Sequence, residues 1–292
     1  GTQANIFFAG VLTNIAIADP DFLGTRWDLG LDLFLLGIEG TDSIFRGDEE
    51  APLEDVGSTS GNIDLKLGHP VGNYGKLDFE YELRYTKYGT ADDTAPEFVL
   101  PSDHFTHSFG IEAKYNRAGY NVRADARYSL RSEWEPWGLP GAAFDPETED
   151  YVRWGAAASK TFHLPKFTKF GLEVEYVDGE RLDRFSKYGF GFFNDITVHG
   201  YQSDRVRAER AAALHASYGF EVGELFNLQL VADVASASDE ESGLDNETLA
   251  GVGLTGTFVG PWETIVNVDV GTPVAGPDDG WVVFLAFLKL FD

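Results

Sequence analysis

The residues that could do chemistry in this chain are few. Of its six histidines, His107 lies beside Ser108, and a hydroxyl next to a base is the start of a hydrolytic constellation. If the segment is extended, adjacent residues point to opposite faces, so the two cannot readily share a proton. His69, His104, His163 and His215 show no spacing suited to a metal or a triad. The 292-residue chain has no Cys, which excludes thiol nucleophiles and disulfides. Carboxylates are abundant, but runs such as Asp239-Glu240-Glu241 lack the spacing of a calcium loop. No enzyme, metal or cofactor is expected on these grounds. The formal charge of −26 also argues against nucleic acid as a partner, because a phosphate backbone needs Lys and Arg to displace its counterions.

The elements that must position any functional group are strands. In 25–38, Trp27, Leu29, Leu31, Leu33 and Leu35 fall on one face and Arg26, Asp28, Gly30 and Asp32 on the other. In 76–88, Leu77, Phe79, Tyr81, Leu83 and Tyr85 oppose Asp78, Glu80, Glu82, Arg84 and Thr86, and 119–133 repeats the pattern. Period two means strand. Twelve strands are predicted, over 25–38, 60–69, 76–88, 104–116, 120–133, 150–163, 168–180, 207–221, 226–238, 247–259, 262–274 and 281–291.

The predicted connections alternate between long ones, of about 6 to 26 residues, and short ones of about 2 to 6, as in barrels that turn tightly on one side of a membrane and loop out on the other. No stretch approaches 18 consecutive apolar residues, so a barrel is the available way to cross a bilayer. The competing reading is a soluble sandwich, whose strands usually run about five or six residues. These are longer, near the roughly 9 to 11 residues of a tilted crossing. Aromatics also cluster near strand ends, as at Trp27, Tyr85, Tyr120, Trp154, Trp262 and Trp281. The expected fold class is therefore all-β: a transmembrane antiparallel barrel over 25–292, with both of its ends on the short-turn, periplasmic side.

Residues 1–24 stand outside this count. Phe7, Phe8, Val11, Leu12 and Ile15 share a face at helical spacing, which predicts a short amphipathic helix; a thirteenth strand is the alternative. Met is absent even at position 1, so the start is expected to be processed or engineered.

One connection differs from the rest. The other five long ones hold 21 acidic residues against one basic, whereas 181–206 carries three acidic and four basic. Its Gly189-Phe190-Gly191-Phe192-Phe193 is too apolar for a solvated loop, so it is expected to fold back into the barrel.

That loop continues through Val198-His199-Gly200-Tyr201 to Arg207 and Glu209, and here the chain resembles the Omp85 superfamily. Members carry a Val-Arg-Gly-Phe/Tyr motif on a loop tucked into the lumen, followed by five final strands. Val231-Ala232-Asp233-Val234-Ala235, Gly251-Val252-Gly253 and Asp269-Val270-Gly271-Thr272-Pro273 are similar to later family strands, and Phe287 to Phe291 to its C-terminal signal. The match is good over 168–292 and thin before it, with Pro20-Asp21-Phe22-Leu23-Gly24 a weak early match. The resemblance implies that His199, which stands where the family has Arg, reaches Asp233 in the barrel wall; the alternative is a His merely packed in the loop. Imidazole beside carboxylate would make such a contact pH-dependent in a way that Arg is not.

The resemblance also implies a place in the outer membrane, lipid and lipopolysaccharide as surroundings, and an unfolded protein or lipid as client. No periplasmic POTRA repeats are seen, and twelve strands instead of sixteen favour a short member lacking them. The competing function is a passive channel lined by Arg84, Arg123, Arg127, Arg131, Glu80, Glu82, Glu112 and Glu173.

Overall fold

The computed structural model describes residues 2–9, 12–36, 40–46, 49–141, 146–191, 194–202, 205–222, 226–240, 242–260 and 264–289. Trp262 and the C-terminal Leu290, Phe291 and Asp292 lie outside them. None of the described helices is long and apolar enough to cross a membrane; the structure is built of strands. Two compact units make up the chain: residues 1–116, 123–155 and 179–186 in one, and 117–122, 156–178 and 187–292 in the other.

The first unit begins with β1 (Gln3–Ala9), β2 (Leu12–Asp19) and β3 (Asp28–Leu36). β1 pairs antiparallel with β2, and β2 with β3. This corrects the helix expected in 1–24: Phe7 and Phe8 belong to one strand and Leu12 and Ile15 to the next. Their helical spacing runs across the break between β1 and β2, and Val11, counted in the same stripe, lies outside the described residues. Both strands join the pairing run, so among the described residues the strands of seven residues or more number fourteen instead of twelve.

Three short strands follow, β4 (Gly40–Asp42), β5 (Phe45–Arg46) and β6 (Glu49–Glu50), then the long β7 (Val56–Val71), β8 (Gly75–Thr90) and β9 (His104–Arg117). The predicted alternation is realised here. Phe79 and Tyr85 of β8 are exposed, with Ile63 and Leu65 of β7 beside them, while Asp78 and Glu82 are buried. The polar face neutralises itself. Lys66 lies 3.3 Å from Asp78, 2.6 Å from Glu80 and 3.2 Å from Glu112, and Arg127 lies 3.1 Å from Glu80 and 2.9 Å from Glu82. A broad exposed apolar face opposite a cross-linked charged one is stable when hydrocarbon covers the first.

Strands β10 (Tyr120–Arg131) and β11 (Asp150–Leu164) contribute residues to both units. The turn before β10 carries Ala118 and Gly119 at φ 51° and 78°, the paired left-handed residues of a tight hairpin turn.

The second unit holds most of β12 (Thr168–Glu180), the two-residue strands β13 (Tyr188–Gly189) and β14 (Arg207–Ala208), then β15 (Arg210–Val222), β16 (Phe226–Asp239), β17 (Leu244–Gly260), β18 (Thr264–Ala275) and β19 (Val282–Lys289). β12, β15, β16, β17, β18 and β19 pair antiparallel in that order. Leu214, Val234, Leu254, Val268 and Leu285 stand exposed on one face, and Asp233, Ala235, Ala237, Gly251, Asp269 and Gly271 are buried on the other. Each of the twelve predicted strands has a counterpart whose ends differ by at most a few residues.

Candidate functional site

The connection 181–206 is divided between the two units. Its first part, 181–186, is held in the first by two arginines. Arg131 lies 3.0 Å from Asp183, and its guanidinium sits 4.0 Å over the Trp134 ring and 4.8 Å over Tyr151. Arg184 donates to the Asp42 carboxylate at 2.5 Å and to the Glu54 carbonyl at 2.6 Å, so it offsets the acidity of the segment that enters β7. Phe185 packs at a tilt against Tyr88 and Trp137, with ring centroids 5.0 and 5.1 Å apart.

The second part packs on the buried face of the second unit. Its neck is the pairing of β13 with β14, Tyr188 opposite Ala208 and Gly189 opposite Arg207. Beside it Lys187 and Asp239, both buried, meet at 2.8 Å. Above the neck the chain folds on itself: Phe190 N–H donates to Val206 O at 3.0 Å, Gly191 N–H to Ile196 O at 3.0 Å and Asn194 Nδ2 to Phe190 O at 2.7 Å. Phe190, Ile196, Val198, Tyr201 and Val206 are buried against Ala208, Ala211, Ala213, Ala235, Ala237 and Leu249. The alanines explain why a loop fits, since small side chains on the strands leave the volume that the loop's large ones fill. Fully burying Phe190, Ile196 and Val198 stabilises by about 1.5–3 kcal/mol each. Phe192 and Phe193 lie outside the described residues.

At its far end the loop makes a turn, with Tyr201 N–H donating to Val198 O at 3.2 Å. Gly200 at its third position has φ +89°, the conformation for which such turns take glycine. A Cβ there would also strike Thr272 and Pro273 of β18. Tyr201 donates its hydroxyl to Ala275 O, while burial and the nearby Asp278 carboxylate push its phenol up to about 12. Gln202 N–H reaches Asp278 at 2.9 Å, and Arg205 reaches Pro277 O at 3.2 Å.

The turn places His199 between two carboxylates. Its Nδ1 is 2.5 Å from Asp233 of β16 and its Nε2 is 3.3 Å from Asp269 of β18; its backbone N–H also donates to Asp233 at 2.9 Å. The intervening β17 presents Gly251 and Gly253, and a Cβ on either would collide with His199, at the carbonyl oxygen and the ring respectively. The two glycines of β17 are the seat of the imidazole.

Asp233 is shared. Its other oxygen lies 2.9 Å from His215 Nδ1, whose Nε2 lies 3.0 Å from Glu175. The result is an alternating row, Glu175–His215–Asp233–His199–Asp269, across β12, β15, β16, the loop and β18. A neutral imidazole donates from only one nitrogen, so a ring flanked by two carboxylates is best satisfied as imidazolium. Burial alone would lower the His199 pKa, but hydrogen bonds and charge from Asp233 and Asp269 outweigh it and raise it above the ordinary value.

Of the residues singled out in the sequence, Val198, His199, Gly200, Tyr201 and Asp233 come together here. Arg207 and Glu209 are placed elsewhere. Arg207 sits in the neck, and Glu209 N–H donates to Ser238 O at 3.1 Å. Ser108 and His107 do face apart, Ser108 pairing with Ser129 at 2.8 Å and His107 with Tyr81 at 2.9 Å.

A profile of the Omp85 superfamily domain matches residues 10–255. The chain belongs to the Omp85 superfamily. Solved structures similar to it include BamA from Haemophilus ducreyi lacking POTRA domains 1–3, at 10% identity and TM-score 0.64, covering 98% of this chain and 64% of that one. CdiB from Acinetobacter baumannii follows at 10% identity and TM-score 0.60, covering 98% and 58%. CdiB from Escherichia coli is 14% identical with TM-score 0.58, covering 96% and 54%. The chain thus spans between about half and two thirds of the length of these proteins, and at such identities the likeness is one of fold, the antiparallel β-barrel. A search of curated proteins finds no match.

Three members of the row in this Omp85 chain carry no sufficient local signal: His215 has no suitably spaced neighbour in sequence, Glu175 no motif, and Asp269 only a strand signature without a partner. The signal available for all three was strand parity: each lies on the polar face of its strand, as Asp233 does.

Proposed function

We propose that the protein acts in the outer membrane as an Omp85-type barrel that assembles or translocates protein or lipid clients, with 187–206 braced inside the barrel. The observation that carries this is the clamp of His199 between Asp233 and Asp269 over Gly251 and Gly253. A wall shaped around the backbone of one loop is expensive to maintain unless the loop's position matters. A loop held in the interior also narrows the path that a passive pore would need. In the proposed mechanism the loop holds the wall in shape while the edge of a terminal strand, β1 or β19, each at one end of the pairing order, takes up a client strand. Client pairing at that edge is inferred from membership of the family. Lipopolysaccharide and phospholipid are the surroundings in this reading.

The test is insertion of a urea-unfolded outer-membrane protein into vesicles that contain the purified protein. A single Cys introduced into β1 or β19 is unambiguous because the chain has no other. During insertion it is expected to form a disulfide with a Cys placed in the client's terminal strand. Efficient insertion without that cross-link, at positions along both strands, would refute edge pairing. Large steady currents in planar bilayers, indifferent to substitution of His199, would favour the channel instead.

A further inference from the structure

Two neighbouring hairpin turns of the second unit break the acidity of the chain. From Tyr151 to Leu172 there is no acidic residue, but Arg153, Lys160, Lys166 and Lys169 are present. From Ala113 to Ala124 there is likewise none, with Lys114, Arg117 and Arg123. In a chain of 48 acidic and 22 basic residues, this is a local reversal of sign at the short-turn end.

The aromatic surroundings give the reversal a shape. Along β11, Gly155 and Ala157 are buried while Trp154, Phe162 and Leu164 are exposed, so Lys160 shares the outer, apolar face with them. A lysine on a hydrocarbon-facing surface must carry its ammonium to the polar boundary. Lys160 does so: its Nζ sits 3.6 Å over the Tyr120 ring and donates to Ala118 O at 2.8 Å in the neighbouring turn. At the tip of the next turn Lys166 and Phe167 both take positive φ, 63° and 59°. Phe167 is 79% exposed beside the charge. Exposed rings beside ammonium groups match a lipid whose tails are apolar and whose headgroup carries net negative charge.

We infer that this corner, formed by Lys160, Lys166, Tyr120, Phe162 and Phe167, is a binding site for an anionic glycerophospholipid, with the two ammonium groups on the headgroup phosphate and the rings along the acyl chains. The inference rests on the barrel fold and stands whether or not the protein handles clients.

Native mass spectrometry of the purified protein released from mixed micelles tests it, with phosphatidylglycerol, phosphatidylcholine and lipopolysaccharide as separate probes. Phosphatidylglycerol should be retained in preference to phosphatidylcholine. Lys160→Gln, which keeps a side chain over Tyr120, should lower that preference about fivefold, the effect of one basic group near an anionic surface. Lys166→Asn, a residue that tolerates positive φ, should do the same from an exposed turn where folding is not at stake. Equal retention of the two phospholipids would overturn the assignment, as would a preference unchanged in Lys166→Asn or stronger retention of lipopolysaccharide.

Discussion

Gly251→Ala isolates the seat of the loop. A Cβ at this position points at the His199 carbonyl oxygen, with the His199 carbonyl carbon and amide nitrogen behind it. Backbone cannot swing aside as the end of a side chain can, so either β17 and the loop separate or the turn leaves. Overpacking of this kind costs about 1–3 kcal/mol. Leaving altogether forfeits two hydrogen bonds to the ionised Asp233, each contributing about 1.5–3 kcal/mol. The smaller cost governs, so the loop should stay docked most of the time yet open more often, by about 5- to 150-fold. Gly256→Ala is the control. It makes the same substitution in the same strand, but there a Cβ meets the tip of the flexible Leu228 side chain at 3.0 Å. Hydrogen exchange of the amides of 198–201 in detergent reads the difference. Accelerated exchange in Gly251→Ala with wild-type protection in Gly256→Ala is expected. Equal exchange in the two variants would refute the close approach as the reason for glycine.

Loop docking should also weaken with rising pH. Because the folded His199 pKa is raised, its contribution is fully present below the unfolded value of about 6.5 and is lost as pH climbs through the folded value. Protection of 198–201, corrected for intrinsic exchange, should fall across that interval, and His199→Arg, facing the same Asp233 and Asp269, should flatten the profile because guanidinium does not titrate there. At the neck, Lys187→Met removes the cation 2.8 Å from buried Asp239, a loss of about 3–5 kcal/mol when one partner is removed. The unfolding midpoint should drop, and adding Asp239→Leu should recover most of it.

The strands were legible because their outer and inner faces face different media, so the alternation in β8, Phe79 and Tyr81 against Asp78 and Glu80, is enforced along its length. The start reads differently in sequence because β1 ends at Ala9 and β2 begins at Leu12, so two short strands in succession imitate a helical stripe from Phe7 to Ile15. For the site, the motif led from His199 to Asp233, but local spacing could not lead to His215, which lies 18 residues from Asp233. Register could. In an antiparallel pair of consecutive strands, residues equidistant from the midpoint between them face each other, and His215 is opposite Asp233 just as Val222 is opposite Phe226. Asp269 needs two further registers and a glycine gap between them, which no single segment of sequence displays.

The fastening of His199 has a meaning in time as well as in space. The histidine is synthesised before either of its carboxylates, and those stand on β16 and β18 with a third strand between them. A slip of one residue in the pairing of β18 would turn Asp269 to the opposite face and carry Gly271 away from the turn. Docking therefore requires that three of the last four strands be paired and in step. The loop thus registers part of the barrel's own construction: it can close down only where β16, β17 and β18 have come together in step.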